Sequence, residues 1–300
     1  MLGDIAERAR QSYRALRIAF RRLTLDPNKA GSAASQKVLL VQLKLLLEQD
    51  RNAFHGEMNN FGFRCFSQFE EDGLLLFIFA AIGFHSRKVV EIGAGDGTEC
   101  MATNLIINHG FQGLLFDGDR RNVWRGRRFF QDCRDTDLLP PSFRHAWITA
   151  ENVNRLLEEN MFVDDIDLLS LDIDGNDYWV WKAIEAVRPR VCILETNPVV
   201  PSDLSLTIPY DPEFRYSERP PAGEDFWGAS LPAMKKLCTE KGYRLIGGHR
   251  FGFNVLFMRH DVGIGIFPEI QVEKIHDNAW VRYKQDHKWA RVRHYPWVTV

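Results

Sequence analysis

The chain has 300 residues, 45% of them hydrophobic, and a formal net charge of −2. This apolar content is enough for a packed core, in one large domain or two small ones, so the composition predicts a soluble globular protein. The near-neutral charge gives no general attraction to nucleic acid, and we expect no nucleic-acid partner. No apolar run approaches the length of a membrane span, and we expect no cleavable export segment.

The five cysteines are odd in number and lack the spacing of zinc ligands. They are Cys65, Cys100, Cys133, Cys192 and Cys238. Scattered cysteines of this kind favour reduced thiols in a cytoplasmic compartment. We therefore predict a cytoplasmic protein without a zinc site.

The N-terminal residues 1–24 combine six arginines with apolar residues in a partly amphipathic helical pattern. A helix of this type either packs on its own domain or contacts an anionic membrane or a partner. Pro27 ends the pattern, and a second helix is predicted over 36–49. We therefore predict an N-terminal helical extension over residues 1–60.

A third predicted helix begins at Ser67 and runs to Ile82. Ser67 would cap its first turn, and Glu70 three residues later would complete a capping box.

From Lys88 onward, short apolar runs alternate with helical stretches, which is typical of a parallel sheet covered on both faces. The predicted strands are 88–92, 113–117, 144–148, 167–172, 190–195, 243–247 and 253–258. The predicted helices are 98–109, 120–130, 151–160, 177–186 and 228–241. The loop between the last two strands is too short for a parallel crossover, so these strands should form an antiparallel pair.

The predicted fold is a three-layer α/β sandwich with a mostly parallel seven-stranded sheet that ends in an antiparallel hairpin. This domain would cover residues 61–265. Residues 196–227 form a long proline-containing connection, and such loops often act as lids over a site. An aromatic and basic tail over residues 266–300 completes the predicted organisation.

The first predicted strand runs directly into three alternating glycines, Gly93, Gly95 and Gly97. Glycine adopts backbone angles that other residues avoid, so the chain can turn sharply and a ligand can approach the main chain. Thr98 is placed to cap the following helix. The stretch therefore predicts a cofactor site.

The residues around these glycines disfavour a phosphate ligand. A dinucleotide fingerprint would need its third glycine at position 98, and a phosphate loop would need a Lys-Ser/Thr pair. Glu91 and Asp96 would repel a pyrophosphate in a poorly solvated site. The two acids suit a cationic ligand that carries ribose hydroxyl groups.

The pattern Glu-x-Gly-x-Gly-x-Gly resembles the first motif of class I S-adenosylmethionine-dependent methyltransferases, whose sheet also ends in an antiparallel hairpin. The resemblance implies S-adenosylmethionine as cofactor. It also implies that one segment cradles the cofactor: Glu91, Gly93, Ala94, Gly95 and Asp96.

Acids after the second and third strands extend this predicted site. Asp117 lies about where an acid binds both ribose hydroxyls in nucleotide-binding sheets, and Asp119 is the second choice. Either acid could instead cap the next helix. Glu151 and Asn152 are candidates for the adenine edge, although the segment also fits ordinary helix capping.

The densest polar cluster follows the fourth strand, at the edge of the sheet where ligands bind in open α/β folds. The candidate catalytic residues are Asp174, Asp172, Asn176 and Asp177. An acid here could accept a proton from a substrate hydroxyl or hold a divalent cation. The candidate ligands for magnesium or calcium are Asp174, Glu195 and Asn197. A purely structural Asp-Gly turn is the alternative.

Three segments narrow the resemblance to the FkbM-like methyltransferase family, over about residues 65–260. They are Ser67-Gln-Phe-Glu-Glu-Asp72, Leu169-Ser-Leu-Asp-Ile-Asp-Gly175 and Ile193-Leu-Glu-Thr-Asn197. The family is similar to enzymes that methylate hydroxyl groups on sugars or polyketides. The resemblance implies that Gln68 approaches the methionine end of the cofactor. Asp174 departs from the glutamate that is frequent in the family.

Aromatic residues in the 207–216 segment, with Phe226 and Trp227, could stack on a sugar or simply anchor the loop. His249 could be a second base or incidental. The sequence therefore favours an S-adenosylmethionine-dependent O-methyltransferase acting on a sugar, glycan or secondary metabolite. The alternatives are a non-catalytic binding module of the same fold and, less favoured, a nicotinamide-dependent oxidoreductase.

Overall fold

The computed structural model describes residues 33–49, 58–216 and 223–300. The predicted arginine-rich helix, its proposed membrane or partner contact, and most of the predicted extension over 1–60 lie outside the described residues. The helices are α1 (Ala33–Gln49), α2 (Glu71–Ile82), α3 (Thr103–His109), α4 (Arg120–Asp132), α5 (Val153–Glu159), α6 (Asp177–Ala183), α7 (Leu231–Glu240), α8 (Val272–His276) and α9 (Ala279–Val292), with a short 3₁₀ helix at Met58–Phe61. The strands are β1 (Lys88–Ile92), β2 (Gln112–Asp117), β3 (Ser142–His145), β4 (Asp164–Leu171), β5 (Val187–Glu195), β6 (Leu206–Thr207), β7 (Tyr243–Gly248), β8 (Asn254–Arg259) and β9 (Val298–Thr299).

Seven strands form one sheet in the order β3-β2-β1-β4-β5-β8-β7. The first five of these strands are parallel, with Val90 opposite both Leu114 and Leu169. Strand β8 runs antiparallel between β5 and β7. This arrangement confirms the predicted mostly parallel sheet with its antiparallel hairpin.

The central strands are mostly apolar because both faces of the sheet are covered by helices. Alternate residues of β1 and β4 belong to opposite sides of the core. Val89 and Leu168 pack in one buried cluster, and Val90 and Leu169 pack in the other. The sheet is thus the middle layer of a three-layer sandwich.

Helix α3 begins at Thr103, five residues later than the predicted start at position 98. The glycine turn continues through Cys100, and the residue before α3 is Ala102, whose side chain offers no cap. The hydroxyl of Thr98 instead donates to Asp96 Oδ1 at 2.6 Å. The predicted capping role of Thr98 is therefore wrong.

The predicted capping box at Ser67 is also wrong, because α2 begins only at Glu71. Asp72 Oδ2 accepts hydrogen bonds from the backbone amides of Cys65, Phe66 and Ser67, at 2.7, 2.7 and 2.8 Å. The Ser67 hydroxyl also hydrogen-bonds to this oxygen, at 3.0 Å. The buried carboxyl group of Asp72 thus holds residues 65–70 in a loop ahead of the helix.

One further strand and one further helix have bounds that differ from the prediction by a few residues. Strand β3 covers Ser142–His145 rather than 144–148, because it is an edge strand that pairs only with β2, as far as His145. Helix α6 ends at Ala183 rather than 186, and Ile184 is already extended. The remaining predicted strands of the main sheet agree with the structure to within three residues.

The C-terminal tail packs against the long loop that follows β5. Strand β9 pairs antiparallel with β6 of that loop. The ring of Phe226 lies 5.0 Å from Tyr295 and 4.7 Å from Trp297, measured between centroids. The tail therefore forms an outer wall over the loop.

The five cysteines are all free thiols. Among the described helices, none combines the length and the apolar character needed to cross a bilayer.

Candidate active site

The glycine turn after β1 has the backbone conformation that the sequence predicted. Gly93, Gly95 and Gly97 have φ angles of +92°, +57° and +77°. A Cβ atom at Gly93 would lie only 1.7 Å from the carbonyl oxygen of Asp172. At Gly95, a Cβ atom would meet nothing within 4 Å. The first glycine therefore lets β1 and β4 approach each other, and the second leaves bare backbone facing a cavity.

The buried side chain of Glu91 binds the backbone that follows the glycine turn. Its carboxylate accepts hydrogen bonds from the backbone amides of Met101, at 3.0 Å, and Ala102, at 2.6 Å. The thiol of Cys100 donates to the same group at 3.0 Å. Burial raises the pKa of Glu91 to about 7, while these hydrogen bonds oppose the shift. Glu91 therefore lines the cavity and also determines where α3 begins.

Asp117 and Asp119 both line the cavity where β2 ends, but they have different surroundings. Asp117 Oδ1 accepts the backbone amide of Asp119 at 2.8 Å and the side-chain amide of Asn122 at 3.1 Å. Partial burial raises the pKa of Asp117. Asp119 caps α4 by accepting the amide of Arg121 at 2.7 Å. The helix-capping alternative therefore describes Asp119, while Asp117 is held facing the cavity.

The segment after β3 contributes different residues from those predicted. Ala146, Trp147 and Ile148 line the cavity. Asn152 uses its side chain on the backbone, accepting from Thr149 at 3.0 Å and donating to Trp147 at 2.8 Å. Glu151 accepts the hydroxyl of Tyr210 at 2.6 Å, outside the cavity lining. The structure thus does not bring Glu151 and Asn152 into the cavity.

Three carboxyl groups meet where β4 and β5 end. One oxygen each from Asp172, Asp174 and Glu195 lies within 4.8 Å of the others. Burial raises the pKa of Asp172 and of Glu195 well above the usual range, and each neighbouring acid adds to the shift. Glu195 Oε2 is buried without a hydrogen-bond partner among the described residues. The cluster can retain protons or bind a cation.

Asp174 has a φ angle of +56°, a conformation that asparagine, aspartate and glycine adopt more readily than other residues. Asp177 maintains this turn, since its two carboxylate oxygens accept the amides of Ile173 and Gly175 at 2.8 and 2.9 Å. Burial raises the pKa of Asp177 to about 7. Asp177 is therefore structural, as the Asp-Gly-turn alternative has it, while Asp174 is exposed and lines the cavity.

Asn176 lines the same cavity, and its side-chain nitrogen donates to the carbonyl of Asp211 at 2.6 Å. Its Oδ1 atom is buried without a hydrogen-bond partner in the described part of the chain. Asn176 is thus, like Glu195, a cavity residue with a buried oxygen atom that lacks a hydrogen-bond partner among the described residues.

Asn197 lies outside the carboxyl cluster. Its amide nitrogen donates to the carbonyls of Asp225 and Trp227, at 2.9 and 2.8 Å, and its oxygen accepts from Val199 at 2.9 Å. These bonds hold the loop after β5. The predicted cation ligand Asn197 is therefore replaced by Asp172, which lies in the cluster with Asp174 and Glu195.

His249 is buried between aromatic rings, with Phe253 at 4.2 Å. Burial lowers the pKa of His249 to about 4. His249 does not line the cavity, so the structure favours an incidental residue over a second base.

The glycine turn, Asp117 and the carboxyl cluster line one cavity of about 1180 Å³. It extends from Asp117 past Gly93 and Gly95 to the carboxyl cluster, and Gln68 also lines it. Ala94 and Asp96 belong to the turn but do not line the cavity. The cavity is large enough for a cofactor together with a small acceptor.

The cavity lining also contains residues that the sequence analysis missed. Phe253, Trp280 and Lys284 line the cavity together with Trp227 from the long loop. Lys284 and Lys288 of α9 each lie 3.5 Å from the carboxylate of Asp225, which tethers the loop. The aromatic and basic composition of the tail was the signal for Trp280 and Lys284, whereas no sequence feature singled out Phe253.

No protein-family model matches the sequence, and no curated relative matches it. Several solved structures are similar in fold. They include an O-methyltransferase from Bacillus cereus in complex with SAH, which is 14% identical, with a TM-score of 0.40 over 80% of this chain and 94% of that one. They also include the N-terminal domain of EvdMO1 with SAH bound, which is 14% identical, with a TM-score of 0.44 over 74% of this chain and 96% of that one.

A third similar structure is cofactor-bound Rv0187 from MTB, which is 14% identical, with a TM-score of 0.38 over 81% of this chain and 95% of that one. Likenesses this weak carry no functional argument. The order and direction of the strands define the class I, Rossmann-like methyltransferase fold. The resemblance to the FkbM-like family remains a prediction.

Proposed function

We propose that this chain is an S-adenosylmethionine-dependent O-methyltransferase acting on a hydroxyl group. The observation that carries this proposal is one continuous cavity joining the glycine turn, Asp117 and the carboxyl cluster of Asp172, Asp174 and Glu195. In this proposal, the nucleoside of the cofactor and the acceptor hydroxyl bind in that one space. This is the requirement for transferring a methyl group to an acceptor hydroxyl.

The residues of the cavity fit S-adenosylmethionine. Gly95 faces open space, so a ligand can contact its main chain. Asp117 supplies a carboxylate for ribose hydroxyls, and Ile148 and Trp147 offer apolar surface for an adenine ring. Acids outnumber basic residues along the cavity, which suits a ligand with a positively charged sulfonium group.

When bound, S-adenosylmethionine supplies an electrophilic methyl group. The chain's own contribution is to hold the acceptor hydroxyl in line with that group, since fixing two reactants can remove about 7–11 kcal/mol from a barrier. The carboxylate of Asp174 accepts the hydroxyl proton as the oxygen–carbon bond forms. Asp172 and Glu195 support this role because their raised pKa values let them retain protons, which leaves Asp174 as the carboxylate of the cluster.

The acceptor that fits the remaining space carries hydroxyl groups and a flat apolar face, as a sugar ring does. Phe214, Tyr216, Trp227, Phe253 and Trp280 line the cavity on the side of the loop and tail. Aromatic faces bind the C–H surface of a ring, while carboxylates accept hydrogen bonds from its hydroxyl groups. We therefore propose a sugar, a glycan or a hydroxylated secondary metabolite as the acceptor class.

A titration with S-adenosylmethionine and NAD tests this proposal. We expect calorimetry to detect binding of S-adenosylmethionine and no comparable binding of NAD. Asp117→Ala should weaken S-adenosylmethionine binding by about 1–3 kcal/mol, because the ribose hydroxyls lose a charged hydrogen-bond partner.

Asp119→Asn is the matched control, because asparagine caps a helix as well as aspartate does. This variant should keep an affinity close to that of the unmodified protein. Tighter binding of NAD than of S-adenosylmethionine would replace the methyltransferase assignment with the oxidoreductase alternative. Cofactor binding without transfer to any acceptor of a hydroxyl-bearing panel would favour the non-catalytic module.

We also propose that the carboxyl cluster binds a divalent cation such as Mg²⁺. Three carboxylates within 4.8 Å of one another provide the oxygen ligands that Mg²⁺ and Ca²⁺ prefer. Glu195 Oε2, one of the oxygen atoms of this cluster residue, is buried without a hydrogen-bond partner in the described part of the chain. A cation here would lower the pKa of a coordinated acceptor hydroxyl.

Titration of magnesium chloride into the cofactor-free protein should give a saturable heat and a higher melting temperature, because the cation relieves repulsion between the carboxylates. Asp172→Asn should abolish both effects. Glu99→Gln, which removes one charge elsewhere in the same cavity, should preserve them. Without a magnesium signal in the unmodified protein, the cluster acts through protons alone.

A further inference from the structure

The exposed face of α4 carries a concentrated positive charge. Between Gly118 and Gln131 there are five arginines and one acid, Asp119, although the whole chain has a net charge of −2. The side chains of Arg120, Arg121 and Arg125 are exposed, and they form no ion pair or hydrogen bond with the described part of the chain.

The other charges on this helix are already engaged. Asp119 caps the helix through the amide of Arg121. Arg127 donates to the carbonyl of Phe143 at 2.9 Å, and Arg128 lies 3.6 Å from Asp132. The three remaining guanidinium groups are thus not neutralised by their surroundings.

Trp124 lies among these arginines and is 63% exposed. Residues three and four apart lie side by side on a helix, so Arg120, Arg121 and Trp124 share one face with Arg125 beside them. Together these four residues enclose a shallow cavity of about 290 Å³. We call this set the α4 patch.

The α4 patch adjoins the mouth of the large cavity, because Arg120 and Arg121 line both. A further arginine and tryptophan, in contact with each other, also line that cavity. Arg215 stacks over the ring of Trp147 at 4.3 Å, and Trp147 is 40% exposed. The cavity lining therefore combines arginine and tryptophan side chains with the acids of the candidate site.

We propose that the α4 patch docks on an anionic phospholipid surface. Guanidinium groups bind phosphate oxygens in a two-point geometry. Tryptophan favours the headgroup region of a bilayer, where its ring is buried and its N–H remains hydrogen-bonded. Both groups lie on the outer face of one surface helix, which a membrane can reach without entering the cavity.

A nucleic acid could also bind these arginines, but nearby carboxylates would repel its phosphate groups. A strand that follows the patch into the cavity mouth meets the carboxylates of Asp117 and Asp119. Like charges repel strongly in a poorly solvated cleft. A lipid surface touches only the protruding helix face, so the charge pattern favours lipid. Docking in this orientation keeps the mouth of the cavity beside the membrane.

Flotation of the full-length protein with vesicles tests this proposal. We expect binding to vesicles containing phosphatidylglycerol, no binding to pure phosphatidylcholine vesicles, and release by salt. The combined substitution Arg120→Gln, Arg121→Gln and Arg125→Gln should lower the partition coefficient about a hundredfold, since each basic residue contributes roughly fivefold at an anionic surface. Trp124→Ala should lower it several-fold.

The matched control replaces Lys274, Arg291 and Arg293 by glutamine, which removes the same charge from exposed positions on and beside other helices. This control should float like the unmodified protein. Equal flotation of the α4 variant and the control would overturn the proposal and assign any vesicle binding to residues 1–24. Binding of single-stranded RNA through the α4 arginines, without vesicle binding, would also overturn it.

Discussion

Asp174→Asn is expected to lower methyl-transfer turnover about 10²–10⁴-fold, the usual contribution of a positioned general base. The affinity for S-adenosylmethionine should stay nearly unchanged, because Asp174 lies at the carboxyl cluster rather than beside Asp117. The substitution removes the charge but keeps the backbone, since asparagine also tolerates the φ angle of +56°. Single-turnover kinetics with an acceptor found by screening would measure the effect.

Asp164→Asn is the matched control for this experiment. Asp164 is also an exposed aspartate with a positive φ angle, +62°, but it lies at the opposite end of β4. Its substitution should leave turnover unchanged. Full turnover in Asp174→Asn would remove this residue from both the base and the cation proposals. Loss that added Mg²⁺ partly restores would indicate the cation role.

Gly93→Ala should destabilise the fold by about 2–6 kcal/mol. This sum combines roughly 1–3 kcal/mol for a strained backbone angle with roughly 1–3 kcal/mol for overpacking. The added Cβ would lie 1.7 Å from the Asp172 carbonyl oxygen, and both atoms belong to the central strands or the turns directly after them. Urea unfolding, followed by circular dichroism, would measure the loss.

Gly95→Ala separates the two causes. Gly95 also has a positive φ angle, +57°, but an added Cβ would meet nothing within 4 Å. It should therefore cost only about 1–2 kcal/mol, the strain of a left-handed conformation. If both variants unfold at the same urea concentration, the close approach of β1 and β4 is not what requires glycine at position 93.

The sheet was predictable because its signals are local. Neighbouring apolar residues, such as Val89 with Val90 and Leu168 with Leu169, are buried on opposite faces of the sheet, so their burial requires no knowledge of a partner strand. The short connection between β7 and β8 excludes a parallel crossover. The positive φ angles of Gly93, Gly95 and Gly97 follow similarly from residue type and position.

Helix starts were less predictable, because distant groups competed for the same backbone amides. Ser67 and Thr98 both have the side chain of a capping residue. Asp72 collects the amides of residues 65–67, and Glu91 collects those of Met101 and Ala102. A buried carboxylate that accepts several amides overrides a local cap, since each amide would otherwise be buried without a partner.

The sequence alone therefore determined the α/β sandwich, the glycine turn and the acids that follow β2 and β4, because period, residue type and turn chemistry act over a few neighbouring positions. Only the tertiary structure decided which acids meet. Asp172 joins Asp174 and Glu195, Asp177 is used to hold its own loop, and Asn197 is used by the loop after β5. The same holds for Trp280 and Lys284, which reach the cavity from a tail more than 80 residues after Glu195. Such contacts depend on how the chain returns over the sheet. A local sequence pattern does not indicate which side chains of such a distant segment point into the cavity.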